Sequence, residues 1–314
     1  MKYYLSDSWI GQDIEEFAYP FAKNRLISFH YKKQVEKYIQ IYRAYNGVKL
    51  DISEYCLMID SGAYSVWNSG KAPINIYEYA WFCADLLEEL RDMPFEAVEF
   101  INLDVIPGER DKLVTKSHID RAQTKSWENY QWLKERIPNV MPVFHQGDDF
   151  KYLEMMNNET LRYCVSPAND KSTQQRLMWI QDVFRKASSN FEPHGLGFSS
   201  DKIADANPWY SFDAATHGHA AAYGHVMYSD GKKFTTMLFS DKRTSNEVGT
   251  HFLNMPRTEQ ESILSELIEL NECFTYDNLV KNGKLRRMVN MHYLVKHYEN
   301  RKDPENIIQE NLFE

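Results

Sequence analysis

Three aspartates sit where short apolar runs stop. Leu57-Met58-Ile59 ends on Asp60, Phe100-Ile101-Asn102-Leu103 on Asp104, and Trp209–Phe212 on Asp213. Gathered at one end of a sheet, such carboxylates do nucleophilic or acid/base work when their surroundings push their pKa values apart. Other runs end on His145-Gln146-Gly147-Asp148, Ser166-Pro167-Ala168-Asn169-Asp170 and His194-Gly195-Leu196-Gly197. An aspartate paired with Gln146 offers the acceptors and donors that read a purine edge. Glycines such as Gly62 and Gly195 let backbone N–H groups approach a flat ligand, and Tyr64 offers a ring to stack on it. The set points to a planar, hydrogen-bonding ligand beside an aspartate nucleophile or base, with Asp213 as the nucleophile. Two other chemistries use the same residue types: a Mg or Zn site built from Asp60, Asp104, Asp213 and His145, and sugar hydrolysis by two carboxylates.

Each residue also has a plain structural use. A strand-end Asp often caps a helix or forms a turn, a lone His is often only hydrogen-bonded, and glycines permit tight turns. Three carboxylates, an amide and an aromatic at successive strand ends exceed what folding requires.

The elements that must position them alternate. Strand-like runs at Lys2–Leu5, Leu26–His30, Leu57–Ile59, Val98–Leu103, Val140–Phe144, Tyr163–Val165, Gly195–Phe198 and Trp209–Phe212 are separated by helix-like segments. That spacing predicts an α/β chain, a (β/α)8 TIM-type barrel, with an open doubly wound sheet as the competitor. No GxGxxG follows the first strand, which removes the main support for a dinucleotide fold. After Asp213 the pattern changes to a hairpin over Tyr223–Phe239 around Asp230-Gly231, then helices at Ser262–Leu270 and Asn278–Tyr298. The predicted organisation is a barrel core over 1–218, a C-terminal hairpin and helical extension over 219–302, and a polar tail over 303–314.

The chain has 314 residues and a net charge of −9, which argues against a histone-like basic binder. Tyr276–Lys302 nevertheless carries seven basic residues against two acidic ones. Four scattered cysteines with no CxxC pair read as reduced thiols. The N-terminal stretch has no apolar leader and no run is long enough to span a bilayer, so the expected location is cytoplasmic, with no membrane partner.

Beside this reading, the order Asp60-Ser61-Gly62-Ala63-Tyr64, Asp104, Gln146-Gly147 and Asp213 resembles the tRNA-guanine transglycosylases over roughly residues 55–300. Those (β/α)8 enzymes exchange a guanine for a 7-deazaguanine through a covalent aspartyl–sugar intermediate. The resemblance implies Asp213 as the nucleophile on the anomeric carbon and Asp60 as general acid/base. It implies Asp104 and Gln146 on the purine edge, Tyr64 stacked on it, and Gly62, His145 and Gly195 in the base pocket. The helix Leu285–Tyr298, with Asn290 and His292, is similar to the RNA-contacting helix of that family, which makes Lys284, Arg286 and Arg287 the expected backbone contacts.

Two departures shape the expectation. The Cys-x-Cys-x-x-Cys…His zinc motif that follows the nucleophile in the tRNA enzymes is missing; only Cys273 stands there, so no metal or other cofactor is expected. A rebuilt site would have to use His217, His219 or His225. Ser-Gly-Ala-Tyr-Ser, Leu-Asp-Val-Ile-Pro-Gly, Val-Phe-His and His-Gly-Leu-Gly more closely resemble the DNA-acting branch found in bacteriophages and bacterial DNA-modification clusters. The implied partners are DNA, with tRNA as the alternative, a free 7-deazaguanine base, and a second copy or companion subunit. A duplex target would have to be flipped out or opened. A base-releasing glycosylase, a nucleoside-acting enzyme and a non-catalytic nucleic-acid binder are the other function classes.

Overall fold

The computed structural model describes residues 1–7, 11–108, 112–198, 200–230, 233–240 and 250–301. The predicted polar tail, Gly231 of the predicted turn and Lys302 of the basic stretch lie outside the described residues. By contacts the chain divides into two compact units. One is built on Lys23–Asp213 and the N-terminal strand; the other joins Gly11–Ala22 to Ala214–Arg301.

The chain runs from β1 (Lys2–Asp7) and α1 (Gln12–Ala18) to β2 (Asn24–Ser28) and α2 (Lys32–Tyr45). Next come β3 (Cys56–Asp60), α3 (Ala63–Ser69), α4 (Ile76–Glu89), β4 (Ala97–Ile101) and α5 (Lys116–Lys134). β5 (Val140–Met141), β6 (Val143–His145), α6 (Phe150–Glu159), β7 (Arg162–Ser166) and α7 (Thr173–Lys186) follow. β8 (Glu192–Gly195), α8 (Asp201–Ala206) and β9 (Ser211–Ala214) end the series.

The nine strands form one all-parallel sheet in the order β5-β4-β3-β2-β1-β9-β8-β7-β6. Its two end strands are separated in sequence only by Pro142, which has no N–H to give a ladder. Asn102 N–H donates to Met141 O at 2.9 Å, and Cys164 N–H donates to Pro142 O at 2.8 Å. The segment Val140–His145 thus bonds β4 with its first half and β7 with its second. The sheet is nearly closed and barrel-like, with helices around it, as in a TIM-type barrel. Its interior is packed by alternate residues, Tyr4, Leu26, Cys56, Met58, Ile101, Met141, Val143 and Cys164.

Below the site a polar chain crosses this interior. Arg162 makes a two-pronged pair with Glu99, and Tyr4 Oη donates to Glu99 Oε2 at 3.2 Å. The bonds to Arg162 and its charge hold the Glu99 carboxyl below its usual range although burial opposes this.

The seventh strand-like run differs from expectation. It occupies Glu192–Gly195, not Gly195–Phe198, because Gly197 takes φ +68° and turns Phe198 back to stack on Phe212 at 5.3 Å. The predicted helix over Asn278–Tyr298 is two helices. Asn282 is extended, at φ −120° and ψ 104°, and its side chain accepts from Lys284 N–H, starting a new helix.

In the second unit, α9 (Thr216–Ala222) leads to β10 (His225–Ser229), which pairs antiparallel with β11 (Phe234–Leu238); β12 (Thr250–His251) joins β11. α10 (Arg257–Leu270), α11 (Tyr276–Lys281) and α12 (Gly283–Glu299) complete it. Asn290 on α12 donates to His217 O at 3.1 Å and His225 O at 3.2 Å, and accepts from Met227 N–H at 2.7 Å. Among the described residues no helix is long and apolar enough to cross a membrane.

Candidate active site

Residues two positions beyond the interior layer face the same way along each strand. Ser28, Asp60, His145 and Ser166 follow Leu26, Met58, Val143 and Cys164 in this sense. The register sets Ser28 beside Asp60 and His145 beside Ser166. They stand at the C-terminal end of the parallel strands, where the connecting loops begin.

Asp60 ends β3. Gly62 N–H donates to its Oδ2 at 3.0 Å, and the Ser28 hydroxyl also bonds to the carboxylate. Gly62 adopts φ +81°, and a Cβ there would lie 2.6 Å from Ser28 Oγ and 2.8 Å from His30 Cβ. The glycine in Asp-Ser-Gly is therefore needed both for the turn and for the close approach. Tyr79 on α4 fixes the neighbouring strand ends, donating to Ile101 O at 2.7 Å and Ile59 O at 3.3 Å.

Asp104 lies three residues past β4 and is held through α5. Asn129 Nδ2 donates to Leu103 O at 2.7 Å, and Val105 N–H donates to Ser126 Oγ at 2.8 Å. Asp104 Oδ2 approaches His145 Nε2 to 2.7 Å, off the line of an aligned ring N–H bond. His145 N–H donates to Asp148 Oδ2 at 2.9 Å. Burial works against a charge on His145, but Asp104 and Asp148 raise its pKa above the ordinary value. Burial also raises Asp148.

Asp213 is buried within β9, one residue before its end. Gly197 N–H donates to its Oδ1 at 2.9 Å, and Phe198 N–H donates to its backbone O at 3.1 Å. The fully buried His194 places Nε2 at 3.4 Å from Oδ1, and its Nδ1 is 2.9 Å from Ser211 Oγ. Arg162 reaches the same hydroxyl at 3.5 Å, which links the interior ion pair to the carboxylate.

Asp60 responds to both other aspartates. Burial, then the charges of Asp104 and Asp213, push its carboxyl up to about 7, against the hydrogen bonds from Ser28 and Gly62. Beside Asp104 opens a cleft of about 660 Å³, walled by Val66, Trp67, Lys71, Ile74, Val105 and Asn129 among others. Trp67 Nε1 donates to Gly108 O at 3.1 Å across one wall. Among the described residues no group of three or more His, Cys, Asp or Glu is arranged to hold a metal ion.

The remaining candidate residues have contacts of their own. Tyr64 is 51% exposed on α3 and tilts against Trp67 at 5.9 Å; Trp67, not Tyr64, lines the cleft. Gln146 accepts from Ala168 N–H at 3.1 Å and donates to Gln175 O at 3.3 Å, so both ends of its amide engage the following loop and helix. Gly195 makes room for packing, because a Cβ there would fall 2.1 Å from the Phe198 ring. In the second unit, Lys284 pairs with Asp13. Arg286 is buried and donates to Ala221 O at 3.0 Å, Leu279 O at 2.6 Å and Val280 O at 3.0 Å. Arg287 is half-buried beside Gly218. Burial lowers the pKa of both arginines. Ser28 and Trp67 carry no signal in the sequence that marks them as site residues; Asp148, His194 and Gly197 stand in the strand-end runs, but the sequence gives them no role.

No protein-family model matches this chain, and no curated protein matches it in sequence. The site contains a carboxyl that is half protonated near neutral pH, a second carboxylate paired with a histidine, and a third fixed by a backbone N–H. One group can trade a proton while another attacks or stabilises a cationic carbon.

Proposed function

We propose that the chain is a transglycosylase that exchanges a guanine in DNA for a 7-deazaguanine derivative through a covalent bond between Asp213 and the sugar. The observation that carries this reading is the Asp60 carboxyl at the tip of β3, its Oδ2 held by Gly62 N–H at 3.0 Å and its pKa raised by burial and by the charges of Asp104 and Asp213. An acid that must give a proton and take it back works best near the operating pH.

The nine strands are read as the eight of a (β/α)8 barrel, with β5 and β6 as one strand broken at Pro142. The site is read as belonging to the barrel core, and the hairpin and helices that follow β9 as an extension of it. Asp213, with Oδ1 held by Gly197, attacks C1′ of the target nucleotide through Oδ2 as the bond from C1′ to guanine breaks. The departing ring nitrogen takes the proton of neutral Asp60. The incoming base then gives its ring N–H proton to Asp60, its nitrogen bonds C1′, and the Asp213–C1′ bond breaks. One C–N bond is lost and one is formed, with no change of oxidation state. The Asp104 cleft takes the base, with Asp104 as acceptor for its N–H groups and Trp67 as a flat wall.

The test is incubation of single-stranded DNA and of tRNA with labelled guanine. Label is expected in DNA, and Asp213→Asn is expected to abolish it. Label in tRNA alone moves the substrate to RNA, and label in neither polymer overturns the reading.

A further inference from the structure

A second cleft, of about 400 Å³, adjoins the Asp104 cleft within the same unit. The two share Val105, Ile106, Gly108 and Lys125 as a common wall. We infer that this second cleft binds the phosphodiester backbone of the nucleic acid whose base enters the first. The inference rests on the nucleic-acid substrate proposed above.

Four basic residues, Lys112, His118, Arg121 and Lys125, line the second cleft, and none of its described lining residues is acidic. That is an unusual concentration in a chain of net charge −9. His118, Arg121 and Lys125 stand at i, i+3 and i+7 on α5, and therefore on one face of the helix. The cleft lies along the N-terminal half of this 19-residue helix. Thr115 N–H donates to His118 Nδ1 at 3.4 Å, which leaves the ring proton on Nε2 as a donor. Lys125 also pairs with Glu128 at 3.0 Å on the exposed face. An exposed pair of this kind is weak and yields readily to a phosphate.

The experiment uses the full chain with fluorescein-labelled single-stranded DNA and RNA of one sequence, read by anisotropy across a salt series. For Lys112→Glu/Arg121→Glu, Kd is expected to rise at least about tenfold at low salt. The log Kd against log salt slope is expected to fall by roughly 1–1.5, as for two lost phosphate contacts on a single strand. Lys112→Arg/Arg121→Lys, which keeps the charges, is expected to retain both. An unchanged Kd and slope in the charge-reversed variant, with unchanged circular dichroism, overturns the inference. If guanine exchange persists alongside that result, the transglycosylase reading stands and only the backbone site falls. If the slope changes as expected but neither polymer exchanges guanine, the backbone site stands and the catalytic reading falls. The DNA and RNA arms show which backbone is held more tightly.

Discussion

His145 Nε2 lies 2.7 Å from Asp104 Oδ2, while the histidine's own N–H donates to Asp148 Oδ2 at 2.9 Å. The imidazole thus faces Asp104, and the backbone amide of His145 holds Asp148 close by. Burial opposes a charge on the ring, and the two carboxylates still raise its pKa above the ordinary 6.5. The stability from this contact is therefore fully present below the unfolded value and is lost as pH rises through the folded one. An NMR titration, assigned with His145→Gln, is expected to give a midpoint above 6.5, and Asp104→Asn is expected to lower it. A wild-type midpoint at or below 6.5 contradicts the pairing.

Asp60 follows the same sign with a larger shift. Its folded pKa, about 7, lies above the ordinary 3.8. The proton it holds stabilises the fold at low pH, and that contribution is lost as pH rises from about 4 through 7. Asp60→Asn is expected to be more stable than wild type at pH 8, by on the order of 2 kcal/mol, with the difference gone at pH 4. Urea unfolding at the two pH values measures it. A variant equally destabilised at both shows that Asp60 is an ordinary structural carboxylate.

Gly62→Ala tests the turn that presents Asp60. The new methyl would meet Ser28 Oγ at 2.6 Å and His30 Cβ at 2.8 Å, at a φ of +81°. A loss of about 1–3 kcal/mol is expected, together with loss of exchange activity, because Ser28 is itself a partner of Asp60. A neutral effect on both would show that the turn is not constrained.

Beneath the site, Arg162→Met leaves Glu99 without its cation in the sheet interior. About 3–5 kcal/mol of destabilisation is expected, and a second change, Glu99→Leu, is expected to recover much of it. A double variant no better than Arg162→Met would show that the pair is not coupled.

Much of the fold was legible because alternation survives in a packed sheet. Met58 and Asp60 share a strand face, so an apolar run ending on Asp reads as an interior strand with a carboxylate at its tip. The two-part strand at Pro142 was less visible, since Val140–Phe144 reads as one continuous apolar run. At the site, Asp60, Asp104 and Asp213 could be proposed from position, but their partners come from distant elements. Trp67 and Tyr64 lie on one short helix, and sequence does not say which ring faces a cleft. Gln146 looks available until Ala168 and Gln175 are brought against its amide. Lys284, Arg286 and Arg287 form a basic run in sequence. Arg286 is nonetheless drawn inside by carbonyls of Ala221, Leu279 and Val280, a role that no local pattern encodes.

Intact-mass analysis reports the covalent bond between Asp213 and the sugar. Wild-type protein is mixed with single-stranded DNA, or with tRNA, without an incoming base, and quenched in denaturant. The expected result is a protein–nucleic acid adduct lacking one guanine, mapped by peptide analysis to Asp213 and absent in Asp213→Asn. No adduct with either polymer, together with an Asp213→Asn variant that still exchanges labelled guanine, would contradict it.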